Sequence, residues 1–120
     1  MDLLEVFEDT TDLVAFPAGA VIFTEGEEGN HVYVVMQGEL SISLKGKPLA
    51  TVRPGELVGE MALINSETRS ASVTAKTDCQ LALIDPAVFQ SMLRHVPEFA
   101  LHVVNVLVER LRIASERARD

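Results

Sequence analysis

Glu60 and Arg69 are the side chains whose types and spacing could do chemistry together. They stand in the run Gly59-Glu60-Met61-Ala62-Leu63-Ile64, which continues through Arg69-Ser70-Ala71-Ser72. An arginine clamps a phosphate through two parallel hydrogen bonds, and a glutamate accepts hydrogen bonds from a sugar hydroxyl. Gly59 has no Cβ, so the backbone there can turn tightly or approach a ligand closely. Glu60 to Ile64 predicts a short helix whose first amides and dipole favour an anion. Arg69, at the start of the next strand, would reach the same anion, with Ser70 adding a hydroxyl and a backbone donor. Each hydrogen bond to a charged group contributes roughly 1.5–3 kcal/mol. Two or three of them, with apolar burial beside them, reach the roughly −8 kcal/mol of micromolar binding. The segment therefore suits a small sugar phosphate. The same residues also permit a plainer reading, in which Glu60 and Arg69 simply pair as a salt bridge.

The elements around this segment change character along the chain. Asp2 to Phe7 predicts a short N-terminal helix. From Leu13 to Ile84, glycines at 19, 26, 29, 38, 46, 55 and 59 separate short β-rich runs. These are Val21–Phe23, Val32–Met36, Leu40–Leu44, Leu49–Val52, Ala71–Ala75 and Leu81–Ile84. Leu40-Ser41-Ile42-Ser43-Leu44 alternates strictly, so one face is buried and the other wet. Many short strands at regular turn spacing predict an antiparallel barrel or jelly roll, which leaves few open edges. The period then switches. Asp85-Pro86 is a helix start, with Asp as N-cap and Pro in the first turn. That helix is expected to reach about His95, and a longer one to run from Pro97 to about Arg117. Along the second, Leu101, Val104, Val108, Leu111, Ser115 and Ala118 make a heptad stripe, and Val103, Leu107 and Ala114 a second apolar side. One side can pack on the barrel and the other on a partner, so a homodimer through the 97–117 helix is expected. A single domain over 1–120 follows, with the barrel at about 12–84 and the C-terminal helices at about 85–118.

Composition narrows the function. The formal net charge is −8, which argues against nucleic acid as a partner, since phosphate backbones need a basic surface. A single cysteine, Cys79, rules out an internal disulfide and points to a reducing compartment. It lies in an apolar run and reads as a buried, inert thiol. No stretch approaches the ~20 apolar residues of a membrane span, and Met1 to Phe7 carries acids where a signal peptide has basic residues. The chain reads as cytoplasmic. His31, His95 and His102 are scattered and make no metal-ligand spacing. Ser70 and Ser72 have no neighbouring base in sequence. Neither a metal nor an enzyme is expected.

The block GEMALI…RSASV resembles the phosphate-binding cassette of the cyclic nucleotide-binding domain, found in catabolite activator proteins, cyclic-nucleotide-dependent kinases and cyclic-nucleotide-gated channels. A second signature also matches: Pro17-Ala18-Gly19, Ile22-Phe23, Glu25-Gly26-Glu27, Tyr33-Val34-Val35 and Gly38. The resemblance runs from about Leu13 to Ser115. It implies a jelly-roll β-barrel (a double-stranded β-helix) flanked by a short N-terminal helix and two C-terminal helices.

The resemblance also implies cAMP or cGMP as the ligand, with cAMP favoured. The phosphate would sit on Gly59, Glu60, Met61, Ala62, Arg69, Ser70 and Ala71. The ribose 2′-hydroxyl would donate to Glu60, which relieves the repulsion between that carboxylate and the phosphate. The base would lie against Phe23, Ile42, Val52, Leu57 and Val58, each of which is equally suited to a plain core. Catabolite activator proteins carry a Thr-Ser pair against the adenine amino group. This chain has Ala114-Ser115 there, which leaves Ser115 as the candidate and the threonine contact missing. Binding is expected to shift the cassette and reorient the helices at 85–117, which relay the signal to a downstream protein partner.

Family transcription factors carry a helix-turn-helix after the long helix, whereas this sequence stops at Asp120. It is expected to be either a stand-alone ligand-binding protein or a regulatory domain of a larger one, and the start at Met1 favours the first. The alternative function is a ligand-free interaction or dimerisation domain with a degenerate pocket.

Overall fold

Alternation along the strands decides where the core lies. The computed structural model describes residues 1–60 and 68–118. Eight strands run in order: β1 (Leu13–Phe16), β2 (Val21–Phe23), β3 (Val32–Gln37), β4 (Leu40–Leu44), β5 (Lys47–Val52), β6 (Leu57–Val58), β7 (Ser72–Ala75) and β8 (Cys79–Ile84). They form two four-stranded sheets, ordered β1-β8-β3-β6 and β2-β7-β4-β5. Every pairing is antiparallel. This is the two-sheet jelly-roll order that the sequence implied.

In the first sheet, β3, β6 and β8 bury both faces, one residue at a time. On β3, Val32 and Val34 face one way and Val35 the other; on β8, Ala82 and Ile84 oppose Leu81. The first set joins Leu3, Leu57, Phe89, Phe99 and Val103 in a core beneath the helices. The second set joins Leu40, Ile42, Val52, Val58 and Val73 between the sheets. Leu57 and Val58 are neighbours in sequence, yet they belong to different cores because side chains alternate with period two. Cys79 is free and buried, its Sγ within 3.2 Å of the Glu39 carbonyl.

The helices are α1 (Leu3–Val6), α2 (Pro86–His95) and α3 (Pro97–Ala118). Asp2 caps α1, its carboxylate accepting from the Leu4 amide at 3.0 Å. Asp85 caps α2 by accepting from Val88 at 2.9 Å, and Pro86 occupies the first turn. Pro97 separates α2 from α3, because the residue before a proline is held out of the helical region; Val96 sits at φ −123° and ψ 90°. Phe89 and Phe99 meet edge to face at 5.6 Å and pin the two helices together. Among the described residues, no helix is long and apolar enough to cross a membrane.

Two strands fall outside the runs named from sequence. β1 pairs only with β8 at the sheet edge; its exposure alternates, but all four of its residues are apolar, so the sequence shows no period of two. β6 has only two residues, too few to show a period. β5 opens at Lys47, two residues early, and β7 opens at Ser72, leaving Ala71 in the approach. The predicted helix from Glu60 to Ile64 extends beyond the described residues, as do the side chains of Ala118 in the heptad stripe and Ala114 on the second apolar side.

Candidate functional site

Arg69 sits three residues ahead of β7, not at its start. Its backbone is fixed against the turn before β3. The Arg69 amide donates to the Glu27 carbonyl at 2.8 Å, and its carbonyl accepts from Gly26 at 2.9 Å. The side chain then runs inward and is only 6% exposed. Nη1 donates to the Gly59 carbonyl at 3.1 Å and Nη2 to the His31 carbonyl at 3.0 Å. The guanidinium carbon lies 4.1 Å from the centre of the Phe23 ring, a cation–π contact. Phe23 in turn stacks on Tyr33 at 6.4 Å.

Two glycines make room for this arginine. A Cβ on Gly29 would stand 2.3 Å from Arg69 Nε, and one on Gly59 would stand 2.7 Å from Nη1. Gly59 also holds φ at +92°, where a side chain is strained. Burial pushes the Arg69 pKa below its usual value, with Tyr33, Glu27 and Glu60 pulling weakly the other way. The guanidinium still carries its charge. It is thus a buried cation held by carbonyls and a ring, with Nε unpartnered among the described residues.

Glu60 is 1% exposed. It does not pair with Arg69. Instead its Oε1 accepts from Arg110 Nη1 of α3 at 2.5 Å. Arg110 Nη2 also donates to the Leu57 carbonyl. This removes the plainer reading of Glu60 and Arg69 as partners. The charge of Glu60 is offset by Arg110 rather than by Arg69. The second oxygen, Oε2, is buried without a partner among the described residues.

A cavity of about 450 Å³ opens between these groups. That is within the range of small-molecule sites. Of the residues singled out from sequence, it brings together Phe23, Ile42, Val58, Gly59, Glu60, Arg69, Ser70 and Ala71 on its wall. Leu57 is not on that wall; it points into the core beneath the helices. Val52 pairs with Leu40, one step further along β5, and Ala50, opposite Ile42, takes the place expected for it. Ser115 is exposed and away from the wall. Met61 and Ala62 lie outside the described residues.

The sequence reading missed Arg110, and it missed Leu49, Ala50, Val73 and Ile113 as walls. It named Leu107 and Leu111 only as helix-packing residues, yet both line the cavity. A signal for Arg110 existed. His102, Val106 and Arg110 follow one another at steps of four, and so share a ridge of the long helix. Val106 packs on the core. A cation on such a ridge needs a buried acid.

The arrangement offers a cation and an unfilled acceptor on the wall of an apolar cavity, with α3 closing one side. Comparison with known proteins agrees with this chemistry. Residues 13–96 match the family profile described as the cyclic nucleotide-binding domain. The chain is 45% identical over 73 residues to the cGMP-dependent protein kinase egl-4 of Caenorhabditis briggsae, covering 61% of this chain and 10% of that protein. It is 42% identical over 85 residues to the cAMP-dependent protein kinase regulatory subunit of Yarrowia lipolytica, covering 69% of this chain and 22% of that protein. The catabolite activator protein of Thermus thermophilus superposes with a TM-score of 0.76 at 31% identity, over 89% of this chain and 53% of that one. The chain thus spans a small part of these kinases and about half of the bacterial regulator. With its two sheets, its buried Glu60 and Arg69 and its profile match, this chain belongs to the cyclic nucleotide-binding domain family.

Proposed function

We propose that this chain is a sensor module that binds a cyclic nucleotide, cAMP in preference to cGMP, in the cavity beside Arg69. One observation carries the reading. Arg69 and Glu60 both line the cavity, and among the described residues Arg69 Nε and Glu60 Oε2 are left without partners, one a donor and the other an acceptor. A ligand carrying an anion and a hydroxyl would satisfy both, and a ribose cyclic phosphate has that pair. The 2′-hydroxyl would donate to Oε2 while Arg110 keeps Oε1.

The preference for cAMP is supported by the wall chemistry. Ile42, Leu49, Ala50, Val73, Leu107, Leu111 and Ile113 are apolar. Guanine carries a carbonyl and additional N–H groups, and burying these without partners costs more than burying adenine. Relatives named for each nucleotide occur, so the walls and not the family decide.

The relay follows from Arg110. It ties the Glu60 carboxylate and the Leu57 carbonyl to α3, so a ligand that pulls on Glu60 pulls on that helix. The outward face of α3 exposes Leu101, Val104 and Val108, and the same heptad stripe ends at Leu111, which is exposed at the rim of the cavity. That face supports a second copy as the partner through which the helix reports. Sedimentation over a range of concentrations tests this, and a monomer at every concentration contradicts it.

Calorimetric titration with cAMP and cGMP, on the wild type and on Arg69→Ala, tests the function. Loss of the charge-assisted contacts at about 1.5–3 kcal/mol each predicts a drop in affinity of at least ~100-fold in the variant. Absence of binding by the wild type would put a ligand-free interaction domain in its place.

A further inference from the structure

His102 lies on the core-facing ridge of α3, two turns before Arg110, and the site described above makes no use of it. Val106, between them, packs on the core beneath the helices, as do Val103 and Leu107 alongside. The Nε2 atom of His102 is sealed from solvent and has no hydrogen-bond partner among the described residues. An imidazolium is a donor at both nitrogens and needs water or an acceptor at each. Two charged groups bear on the ring. The Met1 ammonium comes from ahead of α1 and the Glu56 carboxylate from ahead of β6. α2, packed against α3, brings Arg94 and His95 at its C-terminal end, and α3 itself carries Glu98 one turn before the ring.

We propose that His102 is a pH-sensitive latch on α3: its protonation unseats the helix and, with it, the Leu107–Arg110–Leu111 wall of the cavity. The ligand half of this inference rests on the function proposed above, whereas the seating of α3 stands without it.

The direction of the effect follows from the environment. Burial, aided by the Met1 ammonium and opposed by Glu56, holds the His102 pKa below its usual value. A ring freed from the core regains a pKa near ~6.5. The unseated state therefore binds more protons. The contribution of the seated ring is complete above about pH 6.5 and is lost as pH falls below it. One proton is involved, which limits the effect to about tenfold per pH unit. The ordinary alternative, a histidine that merely fills space, loses stability on protonation across the whole fold and predicts no loss of protection confined to α3.

The test uses the whole chain, the wild type and His102→Gln, with cAMP as the probe. Between about pH 7.5 and about pH 5.5, the protection factors along wild-type α3, taken relative to intrinsic exchange at each pH, are expected to fall by roughly three- to tenfold, and affinity to fall with the seated fraction. The variant, neutral throughout, is expected to show little change in either. A variant that keeps the full wild-type pH dependence overturns the inference. If cAMP does not bind at any pH, the exchange arm decides alone: α3 protection lost on acidification in the wild type but kept in His102→Gln supports the latch, and equal loss in both refutes it. If the variant does not fold, a ring-proton titration of wild-type His102 decides. A midpoint clearly below ~6.5 supports the latch, and one at or above it overturns the idea.

Discussion

Arg69 and Arg112 show what separates a reserved charge from a solvated one. Arg112 lies on the outer surface of α3, about half exposed, between Glu109 one turn before it and Glu116 one turn after. Both carboxylates hold its proton more firmly than usual, led by the hydrogen bonds it donates to Glu109. Such pairs support a helix modestly and are screened by salt. Arg69 is buried and, among the described residues, has no carboxylate bonded to it; its partners there are two carbonyls and the Phe23 ring. A fold that buries a cation without an acid leaves its attraction for anions unspent. Arg110 stands between these cases. It is only partly buried but is bonded to a buried acid, and it uses only one of the two oxygens of that acid. Placement and partner, more than residue type, separate binding from support.

The largest test of this contrast is Arg110→Ala. It leaves the Glu60 carboxylate buried without its cation, a change that costs about 3–5 kcal/mol when a buried pair is broken. Urea unfolding should show a loss of that order, and an unchanged midpoint would mean the pair is not buried in solution.

Gly29→Ala is the next largest. Its Cβ would stand 2.3 Å from Arg69 Nε, so the guanidinium must move while the backbone stays free of strain. Overpacking of this kind costs roughly 1–3 kcal/mol, and nucleotide affinity should fall by about tenfold or more. An unaltered affinity would show that the position of Arg69 is not critical.

The smallest effect is expected from Arg112→Ala. Exposed pairs contribute little, so both the melting temperature and the affinity should hold within error. A clear loss of affinity would break the comparison by giving a surface arginine a role in binding.

Much of this was legible in the sequence because it rests on local pattern. The period-two alternation of Leu40–Leu44 placed Leu40 and Ile42 inward, and Asp85-Pro86 fixed the start of α2 to the residue. The pairing of Glu60 with Arg110 was not legible, because it joins positions 50 apart through a helix that folds back on the sheet. The walls split in the same way. Val58 and Leu57 were named together, and only the sheet shows that one faces the cavity and the other the helices. Val52 carries the right residue type on the right strand, but register puts Ala50 opposite Ile42 at the cavity. β1 stayed hidden because all four of its residues are apolar and show no period of two in the sequence. The space around Arg69 likewise came from Gly29, a residue that in sequence reads only as a turn.

The central claim is that Arg69 and Glu60, whose Nε and Oε2 have no partner among the described residues, are the receptors for a phosphate and a ribose hydroxyl. The most direct measurement compares cAMP with 2′-deoxy-cAMP by calorimetry on the wild-type chain, which avoids any question of variant folding. The ribose hydroxyl donating to a buried carboxylate contributes about 1.5–3 kcal/mol, so the deoxy ligand should bind at least roughly tenfold more weakly. Equal affinities would contradict the account, because Glu60 Oε2 would then be receiving nothing from the sugar.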